Sequence, residues 1–351
     1  MNVLLTCAGR RHYLVEYFRA ALTGIGAVVA TDVDAAAPAM QAADRAVVVP
    51  PVADPGYVEH LVAVCREHEI GLLLSLNDLE LPVLAPHRAR FAEAGTRAVL
   101  PPPDVVDICA DKWRTFGWLT AHGIPTARTV LTVDDARAGL DAGLLDFPLV
   151  VKPRWGTASI GIEVVADLDE LMLAHRLAGI RVGRSALAGA GPPEHTIVVQ
   201  QMLPGHEHGM DVVNDLDGRV ATVLARRKLT MRGGETDRAV TVARPELEEL
   251  GTRLGRALGH IGNLDVDVFV DDDGHAAVLE LNARFGGGYP FSHHAGADVP
   301  AALLAWASGR SPDPRWLTAV AGVRSAKYDR LVGPAAIEVP DGRRPGAPAG
   351  G

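Results

Sequence analysis

Toward the N-terminus, apolar residues fall in short unbroken runs; farther along they alternate with polar ones. Asn2–Thr6, Val28–Thr31, Arg45–Val49, Gly71–Leu76 and Arg97–Leu100 read as strands. Runs without polar interruption suit strands covered on both faces, as in parallel sheets. Between them, Tyr13–Leu22, Tyr57–His68 and Leu79–Ala94 read as helices. Strands alternating with helices predict a doubly wound parallel α/β unit. Such sheets bind ligands beyond the carboxyl ends of their strands. Those ends carry Ala8-Gly9-Arg10-Arg11, Asp32 and Asn77-Asp78-x-Glu80. Dinucleotide binding would require G-x-G-x-x-G after the first strand, and only Gly9 stands there, although Asp32 falls near the position of a ribose-binding acid.

Pro101-Pro102-Pro103 ends this pattern and marks a stiff boundary. Asp104–Cys109 and Lys112–His122 follow as helices, the second with Asp111 as its N-cap and Gly123-Ile124-Pro125 as its stop. Strands at Pro148–Lys152 and Gly161–Val165 flank a small, polar loop, Gly156-Thr157-Ala158-Ser159. Leu168–Ala178 reads as a helix, Arg181–Glu194 as a mobile insertion and His195–Gln201 as a strand. Asp211–Asp215 and Arg219–Leu229 alternate around a turn at Asp217-Gly218. A Gly-rich loop, Thr230–Thr236, then leads into a further strand. Pro245–His260 is a helix with proline at its first position. Asp298–Ser308 is another helix, and a last strand lies near Val323–Tyr328. Asp341–Gly351 is rich in Gly, Pro and Ala and is expected to be disordered.

The stretch Leu264–Gly288 carries the most chemistry. Two alternating runs flank Asp273-Gly274, a dipeptide suited to a two-residue hairpin turn. That turn pairs Asp272 with His275, and so Asp267 with Glu280 and Asp265 with Asn282. All four then share one face, while Val266, Val268, Leu279 and Leu281 point to the other. Directly opposed carboxylates repel, so a cation there would relieve a cost. Hard oxygen donors presented a few at a time suit Mg²⁺. The alternative is a solvated acidic face. Arg284, two residues after Asn282, can grip phosphate as a planar fork, and Gly286-Gly287-Gly288 permits close backbone approach.

The composition is that of an ordinary globular protein: 351 residues, 48% apolar and 22% charged, with 34 basic and 43 acidic side chains and a net charge of −9. This balance argues against a nucleic-acid or anionic-membrane surface. Cys7, Cys65 and Cys109 form no Cys-x-x-Cys pair, which fits a reducing cytoplasm and no structural zinc. His206 with His208, and His293 with His294, lack further spaced ligands for zinc. No apolar run reaches the ~18 residues of a membrane span, and no signal peptide is expected.

Lys152, at the end of a strand, adds a point charge beside the loop of Gly156, Thr157 and Ser159, whose N–H groups can wrap a triphosphate. No Walker A sequence is present. Lys228, leaving its strand, is a candidate for a further phosphate-side cation and Glu235 for a contact to a substrate amine; the alternative for both is a solvated hairpin end.

In order, these residues resemble the ATP-grasp superfamily. Glu280-x-Asn282-x-Arg284 is similar to its Glu-x-Asn-Pro-Arg signature, with Ala283 in place of Pro. The segment SLNDLELPVLA is similar to one in carbamoyl-phosphate-synthase-like members. The resemblance implies a pre-ATP-grasp domain over 1–103, an ATP-grasp α+β module over 104–335 with a lid at about 126–203, and a tail over 336–351. It implies Mg²⁺ ligands at Asp267, Glu280 and Asn282. It implies ATP contacts at Lys112, Lys152, the glycine loop, Gln201 (commonly Glu in the family), Met202 and Leu203, with Glu207 at ribose. Arg284, Lys228 and Glu235 are the implied catalytic set. Arg10, Arg11, Asp78, Glu80, Arg232, Tyr289, Ser292 and His293 are the remaining candidates for substrate recognition. The implied activity is a cytoplasmic carboxylate–amine ligase, using ATP and Mg²⁺, that forms an amide through an acyl phosphate. Its partners would be small molecules and a second copy of the chain, without nucleic acid or membrane. ATP-dependent phosphorylation, bicarbonate activation and non-catalytic nucleotide binding are the alternatives.

Overall fold

The computed structural model describes residues 1–156, 161–185 and 192–332. The first stretch of chain forms β1 (Asn2–Thr6), α1 (His12–Ala21), β2 (Val28–Asp32), α2 (Pro38–Ala42), β3 (Arg45–Val48), α3 (Tyr57–Glu67), β4 (Ile70–Ser75), α4 (Leu81–Leu84), α5 (Arg88–Glu93) and β5 (Arg97–Val99). Then come α6 (Pro103–Ala110), α7 (Lys112–Ala121), β6 (Thr129–Val130), α8 (Val133–Asp141), β7 (Leu149–Pro153), β8 (Glu163–Val165), α9 (Leu168–Gly183) and β9 (Ile197–Gln201). The chain continues through β10 (His206–Asn214), β11 (Val220–Arg232), β12 (Glu235–Val242), α10 (Pro245–Leu258), β13 (Gly262–Val270) and β14 (Ala276–Asn282). It ends with α11 (Tyr289–His294), α12 (Val299–Ala307) and β15 (Arg324–Ala326).

These elements form two compact units. The first takes Met1–Leu100, Asp298–Trp316 and the described residues 328–332; the second takes the described residues of Pro101–Ala297 and Leu317–Lys327. In the first unit a five-stranded sheet runs β3-β2-β1-β4-β5 with parallel pairing throughout. Its strand order reverses between β1 and β4, so the crevice for a ligand lies beyond Thr6 and Ser75. The expected helix Leu79–Ala94 is broken into α4, a single 3₁₀ turn at Ala85–His87 and α5. Pro86 lacks the N–H that a continuous helix would need. Helix α12, which follows the second unit in sequence, packs with the first; Asp298 caps it by accepting from Ala301 N at 3.1 Å.

The second unit holds two antiparallel sheets. The smaller, β6-β9-β7-β8, buries Leu149, Val151, Ile197 and Val199 against Leu171, Ala178 and Val182 of α9. Helix α9 runs through Gly183, past the expected end at Ala178. The larger sheet is six-stranded, β14-β13-β10-β11-β12-β15. The expected Gly-rich loop is mostly strand. β11 and β12 pair down to Arg232 and Glu235, and only Gly233 and Gly234 turn, at φ +57° and +79°. Two consecutive left-handed residues make the turn whose twist matches a hairpin, and glycine meets that at least cost. Thr157, Ser159, residues 186–191 of the expected insertion and the tail lie outside the described residues. No helix among the described residues is long and apolar enough to cross a membrane.

Candidate active site

The β13–β14 hairpin has the expected pairings, Asp267 opposite Glu280 and Asp265 opposite Asn282. The turn differs. Asp271 N donates to His275 O and Gly274 N to Asp271 O, both at 3.1 Å, so the loop is one residue longer than a two-residue turn. A bulge between Asp267 and Val268, which leaves Leu279 as the extra residue of β14, restores the register. Because of that bulge Val278, not Leu279, enters the core beside Val266, Val268 and Leu281.

The acidic face continues across the sheet. Gly209 and Asp211 of β10 lie opposite Asp267 and Asp265, and Gly209 also faces Arg226 of β11. Directly paired residues share a face, so Asp211, Arg226, Asp265, Asp267, Glu280 and Asn282 stand together. Lys228 Nζ donates to Glu207 at 2.6 Å and to Asp267 at 2.5 Å. Arg226 Nη1 donates to Asp211 at 2.5 Å and Nη2 to Asp265 at 3.0 Å. Arg284 Nη1 lies 3.3 Å from the other oxygen of Asp265.

Lysines from outside this sheet complete the cluster. Lys112 Nζ donates to Gly156 O at 2.7 Å and lies 3.4 Å from Glu280. Lys152 is only 3% exposed. Burial lowers its ammonium to about 8, with Glu280 opposing and Lys112 adding to the effect. Burial pushes the Asp267 carboxyl up to about 6, against the pull of Lys228 and with help from Asp265 and Glu207. Burial also raises Glu280, but Lys112 and Lys152 outweigh it and leave that carboxyl below its ordinary value. Burial disfavours the Lys228 ammonium, yet Asp267 and Glu207 hold it above its ordinary value. Burial thus wins at Lys152 and Asp267, whereas unlike charges win at Lys228 and Glu280.

The glycines after Arg284 serve this polar cluster. A Cβ at Gly286 would lie 2.0 Å from the Asp265 carboxyl carbon, and one at Gly288 would lie 2.3 Å from the Arg226 guanidinium. A Cβ at Gly287 would meet Glu235 at 3.0 Å. Glu235 itself pairs with Lys327 at 2.9 Å.

Several expected contacts are placed otherwise. The Gln201 amide is bonded both ways to the backbone of Asp146, at 2.9 and 3.0 Å, so it is not held out as an adenine acceptor; Met202 beyond it is exposed. Glu80 is fully buried and takes hydrogen bonds from Thr6, Tyr57 and Ser75, which turns it inward from any substrate. Ser292 is buried on Asp211 at 2.7 Å, and the Tyr289 hydroxyl donates to Ala297 O at 3.0 Å. His293 sits 3.2 Å from that hydroxyl. Arg232 pairs with Asp237 on the surface. Arg10 is exposed and Arg11 and Asp78 are half-buried, on the loops after β1 and β4. Asp32 accepts from the backbone N–H groups of Gly9 and Asp34, so it shapes the first loop.

Residues 3–99 match the family model of the PylC-like N-terminal domain, and residues 193–329 match that of ATP-grasp in the biosynthetic pathway with Ter operon. The segment 193–329 is thus similar to an ATP-grasp domain. A carbamoyl phosphate synthase large chain from Rubrobacter xylanophilus is 26% identical over 265 residues, covering 72% of this chain and 23% of that one. A D-alanine–D-alanine ligase from Stutzerimonas stutzeri is 29% identical over 183 residues, 50% of this chain and 55% of its own. This chain therefore spans less than two thirds of either relative. Among solved structures, the L-amino acid ligase from Bacillus licheniformis aligns with a TM-score of 0.60 at 22% identity, over 86% of this chain and 73% of that one. The biotin carboxylase domain of Hydrogenobacter thermophilus 2-oxoglutarate carboxylase, in complex with MgADP, ADP and bicarbonate, aligns with a TM-score of 0.70 at 18% identity, over 88% and 70%. These structural likenesses bear on the fold.

The donor set of this face fits Mg²⁺ in its chemistry. Asp267, Glu280 and Asn282 offer hard oxygens, and each carboxylate is met by an ammonium where a metal cation would serve the same need. Sequence reasoning passed over Arg226, Asp211, Lys327 and the Asp111–Arg154 pair. The one available signal was Arg226-Arg227-Lys228, three consecutive cations on a strand that alternates its faces.

Proposed function

We propose that this chain is an ATP-dependent ligase that joins a small carboxylate, such as an amino acid, to an amine through an acyl phosphate. The observation that carries this reading is the face where Asp267, Glu280 and Asn282 stand among Lys112, Lys152 and Lys228. When bound by those three oxygen ligands, Mg²⁺ supplies charge neutralisation for the phosphates of ATP. Lys112, Lys152 and Gly156, followed by Thr157 and Ser159, receive the phosphates. Met202 and Leu203 meet adenine through their backbone, and Glu207 meets the ribose.

The acid's carboxylate oxygen attacks the γ-phosphorus, the bond to the β-phosphate oxygen breaks, and ADP leaves. Arg284 and Lys228 offset the charge that develops on the transferred group. The amine nitrogen then attacks the acyl carbon, phosphate leaves with its bonding pair, and the amine gives up a proton as the amide forms. Positioning and electrostatics carry the first step, so no nucleophilic side chain is needed. Glu235 holds the amine. Arg232 and His293, on the same unit as that face, recognise the charged ends of the substrates.

The test is Mg²⁺-dependent ADP release with pools of amino acids. Release that needs both an acid and an amine supports ligation. Release with a single acid and no amine supports phosphorylation instead, and no release with any pool contradicts both.

A further inference from the structure

Arg226 plays no part in the scheme above, yet it heads the largest fully buried side chains of the described residues. Taking a guanidinium out of water is costly unless its partners are fixed in place. They are fixed here. Asp211 receives Nη1, and also accepts from Ser292 Oγ at 2.7 Å and from Asn263 Nδ2 at 3.2 Å. Asp265 receives Nη2 on Oδ1 and Arg284 Nη1 on Oδ2, at 3.0 and 3.3 Å. Glycines make the space: a Cβ at Gly209 would lie 3.0 Å from the guanidinium, and one at Gly288 nearer still. A side chain that only filled volume would need neither two carboxylates nor two glycines.

The Asp265 carboxylate therefore has one guanidinium on each oxygen. Arg226 is fully buried and meets no solvent; Arg284 belongs to the Asn-x-Arg motif. With Oδ1 engaged by Arg226, Asp265 cannot turn both oxygens onto Arg284 as a two-pronged pair. We propose that Arg226 is a positioning residue for phosphoryl transfer, which through Asp265 fixes Arg284 where the charge of the transferred phosphate develops. This rests on the ATP-dependent reading given above.

The experiment compares binding of MgADP alone with binding of MgADP plus aluminium fluoride, a mimic of the phosphoryl group in flight, by calorimetry on the full chain. Wild type is expected to bind MgADP and to gain affinity with aluminium fluoride. Arg226→Lys keeps a charge but cannot fork. It is expected to leave MgADP affinity unchanged and to lose about tenfold of the aluminium fluoride gain, the size of one charge-assisted hydrogen bond. Asp265→Asn, which preserves size, is expected to lose the same gain, and carries the test if Arg226→Lys does not fold. A full gain in a folded variant overturns the proposal, and so does a parallel loss of MgADP affinity, which marks a purely structural role. Wild type that binds no MgADP overturns the ATP reading itself.

Discussion

Arg154 grips Asp111 with two arms of its guanidinium, Nε to Oδ1 and Nη2 to Oδ2, both at 2.7 Å. Asp111 also caps α7, accepting from Trp113 N at 3.0 Å, and Lys112 is the first residue of that helix. Arg154 directly follows β7, the strand that bears Lys152. One buried ion pair therefore holds two lysines of the site in register. Arg154→Ala would leave a buried carboxylate without its main partner, at a cost of about 3–5 kcal/mol. The expected outcome is a lower urea midpoint together with weaker MgATP binding. Arg154→Lys should recover only part of both, because an ammonium cannot reproduce the fork.

Lys152 should contribute to nucleotide binding more than to folding. A buried ammonium lowered to about 8 is an unfavourable feature that phosphate would relieve. Lys152→Met keeps the apolar stem, so the variant should unfold at or above the wild-type temperature while losing ATP affinity. Unchanged ATP affinity in a calorimetric titration would remove Lys152 from the site.

Gly288 and Gly117 make a matched pair. Gly288→Ala drives a methyl into the Arg226 guanidinium and should cost about 1–3 kcal/mol as an overpacked substitution. Gly117→Ala, inside α7 with open space around it, should instead stabilise by about 0.5–1 kcal/mol. Equal effects of the two in urea unfolding would contradict the packing described around Arg226.

The hairpin shows how much was legible. Alternation gave its two strands and the pairing of Asp267 with Glu280, yet the turn length was wrong by one residue and a bulge compensated for it. The shared-face inference survived because it depended on the register beyond the bulge; the choice of Leu279 as a core residue depended on the register within it. Arg226 was hidden for a different reason. It faces Gly209 across the strands and meets Asp265, distant in sequence, and no local pattern reports that closure. Glu80 read as a substrate contact because it follows Asn77 and Asp78 at a strand's carboxyl end, but it stands at the N-cap of the short helix that begins at Leu81, and its carboxylate is bonded to Thr6 and Ser75. Glycines were read as room for a ligand, whereas Gly286 and Gly288 make room for the chain's own Asp265 and Arg226.

Glu80 gives a pH signature to the first unit. Burial raises its carboxyl above the ordinary 4.5, against the hydrogen bonds of Ser75, Tyr57 and Thr6. The folded chain therefore holds this proton more tightly than the unfolded chain. The resulting stabilisation is complete below the unfolded value and is lost as pH rises through the folded one. Glu80→Gln, neutral at every pH, should be most costly at low pH and progressively less so as pH rises above the ordinary 4.5 in urea unfolding. A cost that grows with pH would mean that Glu80 is held as an anion.

The central claim is that the face of Asp267, Glu280 and Asn282 holds the metal of an ATP-consuming site. The direct measurement is the Mg²⁺ dependence of ADP release by wild type and by Glu280→Gln, which keeps the shape and removes one charge. Wild type should release ADP with a saturable Mg²⁺ dependence, and Glu280→Gln should remain folded with that release abolished. Full Mg²⁺-dependent release by the folded variant would contradict the account.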